Sequence, residues 1–558
     1  MESQRSFLVI GLALVSFLLW QQWQKDYGPQ PVQPVEQTAP DATSSVASVP
    51  SEGVPSTTSA ANDGFVPDSD AVLPVVQEAD GAARFISVLT DTLSLEIDLI
   101  GGDVIKADLI DFPIKQNEDE PYSLLRPTTG LYVAQSGLVG PNGPDANPNG
   151  RPQYVATATE YILGDNDQSL VIPLIWQSNG LTVTKQFEIN RKSHDVVVSY
   201  TITNNTGAPA QLQQYAQLKQ TTQVPESNMF MPTYRGAAYS TQESRYEKYS
   251  FSDIEDDDLR EATTGGWVAM LEHYFVSAWV PPQQETNTLY SRLLNSGDAL
   301  IGYTGAPFTV ATGEESTVTS TLYLGPKDQA HLAELARGLD LTVDYGILWW
   351  ISQPLFDLLK FIYGLVGNWG VAIILITIIV KGVMYPLTKK QYESMAKLRN
   401  LAPKMQQLKD RYGDDRQKMS QAMMEMYKKE KVNPMGGCFP LLLQMPIFLA
   451  LYWVLLESVE LRHADFVLWI TDLSVKDPYF VLPILTGASM WALQKLQPMT
   501  MTDPMQQKIM QWMPVMMSVF FFFFPAGLVL YWLVSNVITL VQAKIIYASM
   551  EKRGMKTR

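Results

Sequence analysis

Residues 369–390 read WGVAIILITIIVKGVMYPLTKK, an apolar run that ends at Lys389 and Lys390 and is interrupted by one positive charge, Lys381. The run is long enough to cross a bilayer as a helix, which takes about 20 residues. A charged side chain that faces hydrocarbon is costly, so Lys381 is predicted to line a recess that contains water. Thr377 lies four residues earlier on the same helix face and is a second candidate for this recess.

Five other apolar runs accompany this one, and together they predict a multidomain membrane protein with six spans. The runs cover residues 7–20, 369–387, 438–456, 479–496, 509–524 and 528–543. Residues 387–431 contain 12 basic and 6 acidic residues, and the tail after Ile546 is also basic. Because Lys and Arg in short loops are retained in the cytoplasm, both termini are predicted to be cytoplasmic.

The N-terminal 82 residues are predicted to form an anchor and a tether. Residues 1–27 hold the first span as an uncleaved signal anchor, since residues 17–23 offer no small-residue cleavage pattern; a cleaved secretory signal is the alternative. Residues 28–82 are rich in Pro, Ser, Thr, Ala and Gln. Such a composition buries too little apolar surface to fold, so this periplasmic segment is predicted to be disordered.

Residues 83–325 are predicted to form a large periplasmic domain, an antiparallel β-sandwich. Residues 26–344 contain 42 acidic and 16 basic residues, which agrees with an exported segment. The single cysteine, Cys438, lies elsewhere, so disulfides do not stabilise this domain. Residues 181–189 alternate with period two, as a half-buried strand does. Strand-like runs occur at 85–89, 93–99, 170–176, 181–189, 196–203 and 318–324.

The remaining chain divides into a connector, spans and cytoplasmic segments. Residues 326–366 are predicted to be a connector with an amphipathic helix at the outer membrane interface; packing on the sandwich is the alternative. Residues 367–390 form the second span, and 391–431 a cytoplasmic two-helix hairpin with a methionine-rich seam that either binds apolar partners or simply packs. Residues 432–546 contain spans three to six, and 547–558 are a basic cytoplasmic tail.

The sequence offers little support for enzymatic chemistry. The acidic run 255–258 is typical of a solvated loop, although paired carboxylates also serve glycoside hydrolysis. His194, His273 and His331 show no metal-ligand spacing. The chain has neither a phosphate-binding GxxxxGK[ST] motif nor a dinucleotide glycine fingerprint. No catalytic residue, metal or cofactor is therefore predicted.

Four long motifs carry a resemblance to a known family. They are GNWGVAIILITIIVKGVMYPLT (367–388), VNPMGGCFPLLLQMPIFLALY (432–452), DPMQQKIMQWMPVMM (503–517) and FPAGLVLYWLVSN (524–536). In this order and spacing they resemble the YidC/Oxa/Alb family of membrane protein insertases. The anchor, tether and β-domain resemble the Gram-negative form, which resides in the inner membrane.

The resemblance implies a five-helix core around a hydrophilic groove that is open to the cytoplasm and to lipid. Lys381 occupies the position of the family's arginine and lacks its bidentate fork; the alternative is that its side chain snorkels toward Lys389. Tyr531 and Trp532 are groove candidates at the family's aromatic position in the last span, where two tyrosines are usual, so Trp532 is a second departure. Further groove candidates, each of which could instead bond a neighbouring helix, are Gln444, Ser518, Ser535 and Asn536. Phe448 and Phe520 are candidates for an apolar slide, with plain packing as the alternative.

The resemblance further implies that the protein inserts and folds nascent membrane proteins without covalent chemistry, alone or with the Sec translocon. Its expected partners are nascent chains, the ribosome, the translocon and the lipid bilayer, with no specific DNA. Two rival functions remain: a secondary transporter, although no internal repeat or pair of intramembrane acids is visible, and a membrane-tethered carbohydrate-binding enzyme.

Overall fold

The computed structural model of the chain describes residues 84–128, 130–147, 150–223, 233–412, 415–430, 439–496 and 504–553. The predicted anchor (1–27) and tether (28–82) lie outside the described residues. Cys438 and the last five residues of the basic tail lie outside them as well.

The β-domain consists of two stacked antiparallel sheets. One follows the order β14-β17-β18-β11-β5-β3-β2-β1-β7, with β4 beside β3, β19 beside β11, and only β7 parallel to its neighbour; the other follows β13-β12-β15-β16-β20-β10-β9-β8-β6. In the described residues, β1 to β20 span Phe85–Leu89, Leu93–Asp98, Asp103–Pro113, Pro121–Leu125, Tyr132–Val139, Val155–Ala156, Glu160–Ile162, Ser169–Ser178, Leu181–Asn190, Asp195–Asn204, Ala210–Thr221, Gly236–Ser240, Glu247–Tyr249, Arg260–Thr264, Trp267–Leu271, Phe275–Val280, Thr286–Leu293, Asp298–Thr304, Phe308–Val310 and Glu315–Pro326.

The period-two pattern accounts for the sandwich. Along β9, the apolar residues Leu181, Val183, Phe187 and Ile189 point inward, as does Lys185, while the residues that alternate with these five are partly exposed. β10 pairs with β9 so that Val196 lies opposite Ile189, and the inward apolar side chains of both strands join the main core. The predicted large β-sandwich is therefore confirmed, and each of the six predicted strand runs coincides with a strand.

Helices make up most of the described chain after β20. In the described residues α1 lies within the β-domain at Phe251–Asp256, and α2 to α11 span Gln329–Leu335, Trp349–Val366, Trp369–Val383, Tyr385–Asn400, Ala402–Tyr412, Arg416–Lys429, Phe439–Glu457, Val481–Leu496, Pro504–Phe520 and Ala526–Lys552. A second apolar core forms where α3, α4, α8 and α11 meet. A helical C-terminal region thus follows the sandwich, as predicted.

The predicted amphipathic helix is α3, and it packs on helices rather than on the sandwich. Phe356, Leu359 and Ile362 are buried against α4 and α8. Gly367 ends α3 in the left-handed conformation, with φ of 66°, which a glycine adopts without strain. Large apolar residues on the other side of α3, such as Trp350, remain exposed.

The run predicted as one span at 369–387 is not one straight helix. α4 ends at Val383, and the next helix, α5, begins at Tyr385 with a bend of 61° between them. Pro386 explains the break, because its ring cannot donate a backbone hydrogen bond and clashes with the carbonyl four residues earlier. α4 therefore ends at residue 383, and the predicted end of the second span at residue 390 stays a prediction.

The six predicted spans stay a prediction, and the first of them lies outside the described residues. Among the described residues, Ala526–Lys552 is one helix long and apolar enough to cross a membrane, and the bent pair α4 and α5 passes the same test together. Shorter apolar helices occupy Gln444–Glu457 and Gln511–Phe523.

The predicted cytoplasmic hairpin contains three helices instead of two. α5 reaches into it and packs Tyr392 and Ala396 against the end of α11. α6 and α7 pack against each other, with an ion pair of 2.6 Å between Lys404 Nζ and Glu430 Oε1. The predicted first arm is divided at Leu401, next to Pro403, because proline is tolerated at a helix start but not in its interior.

Candidate functional site

Helix α4 carries the charged candidate Lys381 and the polar candidate Thr377 on its buried side. Asn368 caps the helix by accepting a hydrogen bond of 3.0 Å from the backbone N–H of Val371. Lys381 is 7 % exposed and Thr377 is 1 % exposed, whereas Ile378 and Val383 point outward. The sequence pattern therefore places Lys381 inside the helical region, with apolar residues on the outer side.

Lys381 reaches across to α11. Its Nζ donates a hydrogen bond of 3.2 Å to Thr539 Oγ1, and Gln542 Nε2 donates one of 3.0 Å to the backbone carbonyl of Lys381. Thr539 Oγ1 in turn donates to the carbonyl of Ser535 at 2.7 Å. The ammonium group thus contacts a polar stripe on α11, which differs from a side chain that snorkels toward Lys389.

Three other candidates have partners within the helical region. The Thr377 hydroxyl donates to the Ile373 carbonyl of its own helix at 2.6 Å. Ser518 Oγ on α10 donates to the Pro483 carbonyl at 3.0 Å, and Asn536 Nδ2 on α11 donates to Ser489 Oγ at 3.1 Å. Ser518 and Asn536 therefore make the interhelical hydrogen bonds that the sequence left as their alternative role.

Gln444 and Ser535 are placed differently. Gln444 is half-buried on α8, and Ser535 is 9 % exposed on α11, where its carbonyl accepts from Thr539. Ser535 therefore joins the stripe beside Lys381.

The aromatic candidates form one cluster between α8 and α11. Phe448 stacks on Trp532 with ring centroids 5.5 Å apart and lies 5.9 Å from the Tyr531 ring. Trp532 also packs on Phe521 at 4.2 Å. Phe520 lies 4.7 Å from Phe524, which in turn contacts Trp532. The two predicted slide residues thus border the same aromatic cluster from α8 and α10.

Thr539 and Gln542 were missed by the sequence reasoning. Ser535, Thr539 and Gln542 recur at intervals of four and three residues, which places them on one face of α11. Within the described residues, Gln542 Oε1 is buried without a hydrogen-bond partner. The helical spacing of these three polar residues within an apolar run is the sequence signal that could have predicted this stripe.

The acidic run of the β-domain has the structural role that its composition predicted. Glu255 and Asp256 lie in or at the end of α1, and Asp257 and Asp258 follow it; all four are exposed. Ser250 and Asp253 form a capping box at the start of this helix. The carboxylates thus belong to a solvated helix end.

Comparisons with known proteins identify the family. The family model described as "YidC periplasmic domain" matches residues 85–358, and the model described as "60Kd inner membrane protein" matches residues 361–553. "Membrane protein insertase YidC" of Pseudoalteromonas atlantica is 62% identical over 100% of both chains. The chain belongs to the YidC family. The family member of Shewanella loihica is 55% identical, also over 100% of both chains.

A solved structure of the same family also matches. It is described as "Active YidC insertase crystal structure with the first transmembrane domain resolved", and it is 17% identical with a TM-score of 0.36. The match covers 83% of this chain and 92% of the solved one. Membership in the YidC family rests on the full-length sequence identity and not on this structural overlap.

Proposed function

We propose that the protein is an insertase that places integral proteins in the bacterial inner membrane and assists their folding. The observation that carries this proposal is 62% identity over the full length of a curated membrane protein insertase. Family membership also favours an insertase, which is not an enzyme, over a secondary transporter or a membrane-tethered carbohydrate enzyme.

The proposed entry point for a substrate is the polar surface between α4 and α11. Lys381 supplies a positive charge there, and Thr539 and Gln542 hold its side chain and backbone in place. An acidic or polar segment of a nascent chain would be attracted by this charge, because electrostatic interactions are strong where water is scarce. The candidates Ser535 and Asn536 extend the surface along α11.

The proposed exit lies along α8 and α10. Phe448 and Phe520 border the aromatic cluster that includes Trp532, and apolar residues such as Leu449 and Val519 are exposed nearby on the same two helices. An apolar substrate segment that moves from water past this surface into lipid gains the free energy of hydrophobic transfer. Insertion then needs no nucleotide and no covalent step.

The proposed topology has six spans, cytoplasmic termini and a periplasmic β-domain. α11 is the helix that suits a span best, and Lys552 and Arg553 follow its apolar part. The acidic and basic halves of the chain support the same orientation. The bent α4 and α5 would then bring the chain from the membrane to the cytoplasmic surface.

The ribosome and the Sec translocon are proposed partners. α6 and α7 present exposed lysines, as does the end of α11, and basic surfaces bind the phosphates of ribosomal RNA. Deletion of residues 391–430 and 547–558 should reduce ribosome crosslinking. Deletion of residues 83–324 should reduce co-purification with the translocon, and unchanged recovery in either experiment removes that partner from the proposal.

The test of the function is insertion of a short substrate with one span and an acidic tail into liposomes that contain the purified protein. Protease protection is compared for wild type, Lys381→Arg, Lys381→Gln and a chain that lacks residues 83–324. We expect protection with wild type, Lys381→Arg and the truncation, and reduced protection with Lys381→Gln. Protection no higher than in empty liposomes would refute autonomous insertion, and normal insertion by Lys381→Gln would refute the role of the charge.

A further inference from the structure

A cavity of about 160 Å³ lies where the β-domain meets the helical region. The β-domain contributes Tyr246 and Lys248, the connector contributes Lys327 and Asp344, and the end of α8 contributes Trp453 and Glu457. At about 30 Å³ per molecule, this volume would hold roughly five waters. The cavity is therefore large enough for a small polar group and is lined by charges of both signs.

Two of these charges, Lys327 and Glu457, are buried and attract each other. Lys327 is 5 % exposed and Glu457 is 6 % exposed. Within the described residues, neither the Lys327 ammonium nor the Glu457 carboxylate makes a side-chain hydrogen bond or an ion pair, and the buried Tyr246 hydroxyl also has no partner. Buried charges are normally paired, because removal from water costs several kcal/mol per ion. The attraction between Lys327 and Glu457 thus acts across the cavity without a direct contact, and a ligand with both charges would bridge them beside the Tyr246 hydroxyl.

The same cavity also contains a direct ion pair between a lysine and an aspartate. Lys248 Nζ forms an ion pair with Asp344 Oδ2 and lies 4.8 Å from the centre of the Tyr234 ring. Burial lowers the pKa of Lys327, the nearby Glu457 raises it, and Lys248 lowers it. An anion beside Lys327 would offset the burial of its ammonium and the repulsion by Lys248, while a cation would suit Glu457.

An apolar surface borders the cavity. Gly346 lines it, and the residues that follow are unusually exposed for large apolar side chains: Ile347 at 90%, Trp349 at 62% and Trp350 at 61%. Tryptophan in such a position is typical of the boundary between water and membrane. A ligand that fits both the charged cavity and the apolar surface would have a polar head with a positive and a negative charge, and an apolar tail.

We propose that this cavity binds the headgroup of an outer-leaflet phospholipid that carries a phosphate and a primary amine. The phosphate would contact Lys327 and the Tyr246 hydroxyl, the amine would contact Glu457, and the acyl chains would lie along Ile347, Trp349 and Trp350. The lipid would thereby join the β-domain to the end of α8. The placement at the outer leaflet rests on the proposed topology.

The test is native mass spectrometry of the full-length protein in mixed micelles of detergent and one phospholipid. We expect wild type to retain phosphatidylethanolamine about tenfold more strongly than phosphatidylcholine, whose quaternary amine cannot donate a hydrogen bond to Glu457. Equal retention of the two lipids by wild type would overturn the proposal, and this comparison does not depend on any variant.

Variants then assign the contacts. Lys327→Met should weaken retention of both lipids, Glu457→Gln should remove the preference for phosphatidylethanolamine, and Tyr246→Phe, which removes one oxygen, should weaken both lipids slightly. Lys360→Met is the matched control, since Lys360 is a half-exposed lysine of α3 that pairs with Glu460. Wild-type retention in Lys327→Met, or equal losses in Lys360→Met, would contradict the assignment.

Two further measurements distinguish the lipid site from a simple phosphate site and test it separately from the proposed insertase function. Displacement of the lipid by millimolar inorganic phosphate would show a simple phosphate site and overturn the lipid proposal, whereas persistence of the lipid supports it. Insertion by the same preparation is measured in parallel. Normal insertion without lipid selectivity would overturn the lipid site alone, and selective lipid binding without insertion would overturn the proposed function alone.

Discussion

At the scale of single residues, Thr539 holds the charge of the proposed groove. We expect Thr539→Val, which keeps the side-chain shape, to reduce insertion about tenfold, because the Lys381 ammonium loses its acceptor and a hydrogen bond to a charged group contributes about 1.5–3 kcal/mol. Thr539→Ser keeps the hydroxyl and should insert like wild type. Protease-protected substrate in liposomes is the readout, and equal protection for the Val and Ser variants would show that this bond is dispensable.

Lys185 is a second residue whose surroundings predict a measurable effect. It is fully buried in the sandwich, donates to the carbonyls of Gly101 and Ser136, and has its pKa lowered to about 7 by burial. The unfolded chain, with a lysine pKa near 10.4, binds more protons between these values. Stability of the β-domain should therefore rise from pH 7 to pH 9.5, by at most about 1.4 kcal/mol per pH unit.

The corresponding experiment compares wild type with Lys185→Met in the full-length protein. Pulse proteolysis in urea gives the folded fraction of the β-domain at each pH. Lys185→Met should lack the rise, while Lys106→Met, which removes a half-exposed lysine paired with Asp108, should retain it. Parallel pH curves for wild type and Lys185→Met would disprove the link to this lysine.

At the scale of elements, the contact of α9 with α10 depends on a small residue. A Cβ atom added to Gly487 would lie 2.5 Å from Ser518 Cβ, so the two helices approach closely there. Gly487→Leu should separate them and destabilise the helical region by about 1–3 kcal/mol. Thermal unfolding in detergent measures this, with Gly382→Ala as the control because a Cβ at Gly382 meets no atom within 4 Å. Equal melting temperatures would argue against tight packing at Gly487.

Local pattern predicted those elements that have one buried face. β9 and β10 alternate and were found from sequence, but β15 and β16 are buried along their whole lengths and lack that signal. The bend at Met384 was missed because hydropathy does not register the absent N–H of Pro386. Lys381 was expected to line a recess that contains water, because a charge within an apolar run is costly in lipid. Its partners Thr539 and Gln542 lie about 160 residues further along, and only the packing of α4 on α11 brings them together.

At the scale of the whole molecule, the β-domain and the helical region share a polar junction. Gln116 Nε2 donates to Asp465 Oδ1 at 2.8 Å and to the Thr471 carbonyl at 2.6 Å. Arg462 donates to the Pro113 carbonyl at 2.6 Å and lies over the Phe275 ring. Both contacts join the loop after β3 to the segment after α8. A β-domain that moved independently would not make these contacts. The junction therefore positions the β-domain on the helical region.

His273 makes this junction sensitive to acid. Its Nε2 lies 2.9 Å from the Leu456 carbonyl, and burial lowers its pKa to about 4. An unfolded histidine titrates near 6.5, so the junction should lose up to about 3 kcal/mol of stability as pH falls from about 6.5 to 4.

Hydrogen exchange of residues 453–462, corrected for intrinsic rates, should increase over that range in wild type. His273→Phe should lack the increase, and His331→Gln, which changes a histidine paired with Asp195, should retain it. The same increase in His273→Phe would assign the acid sensitivity to another group.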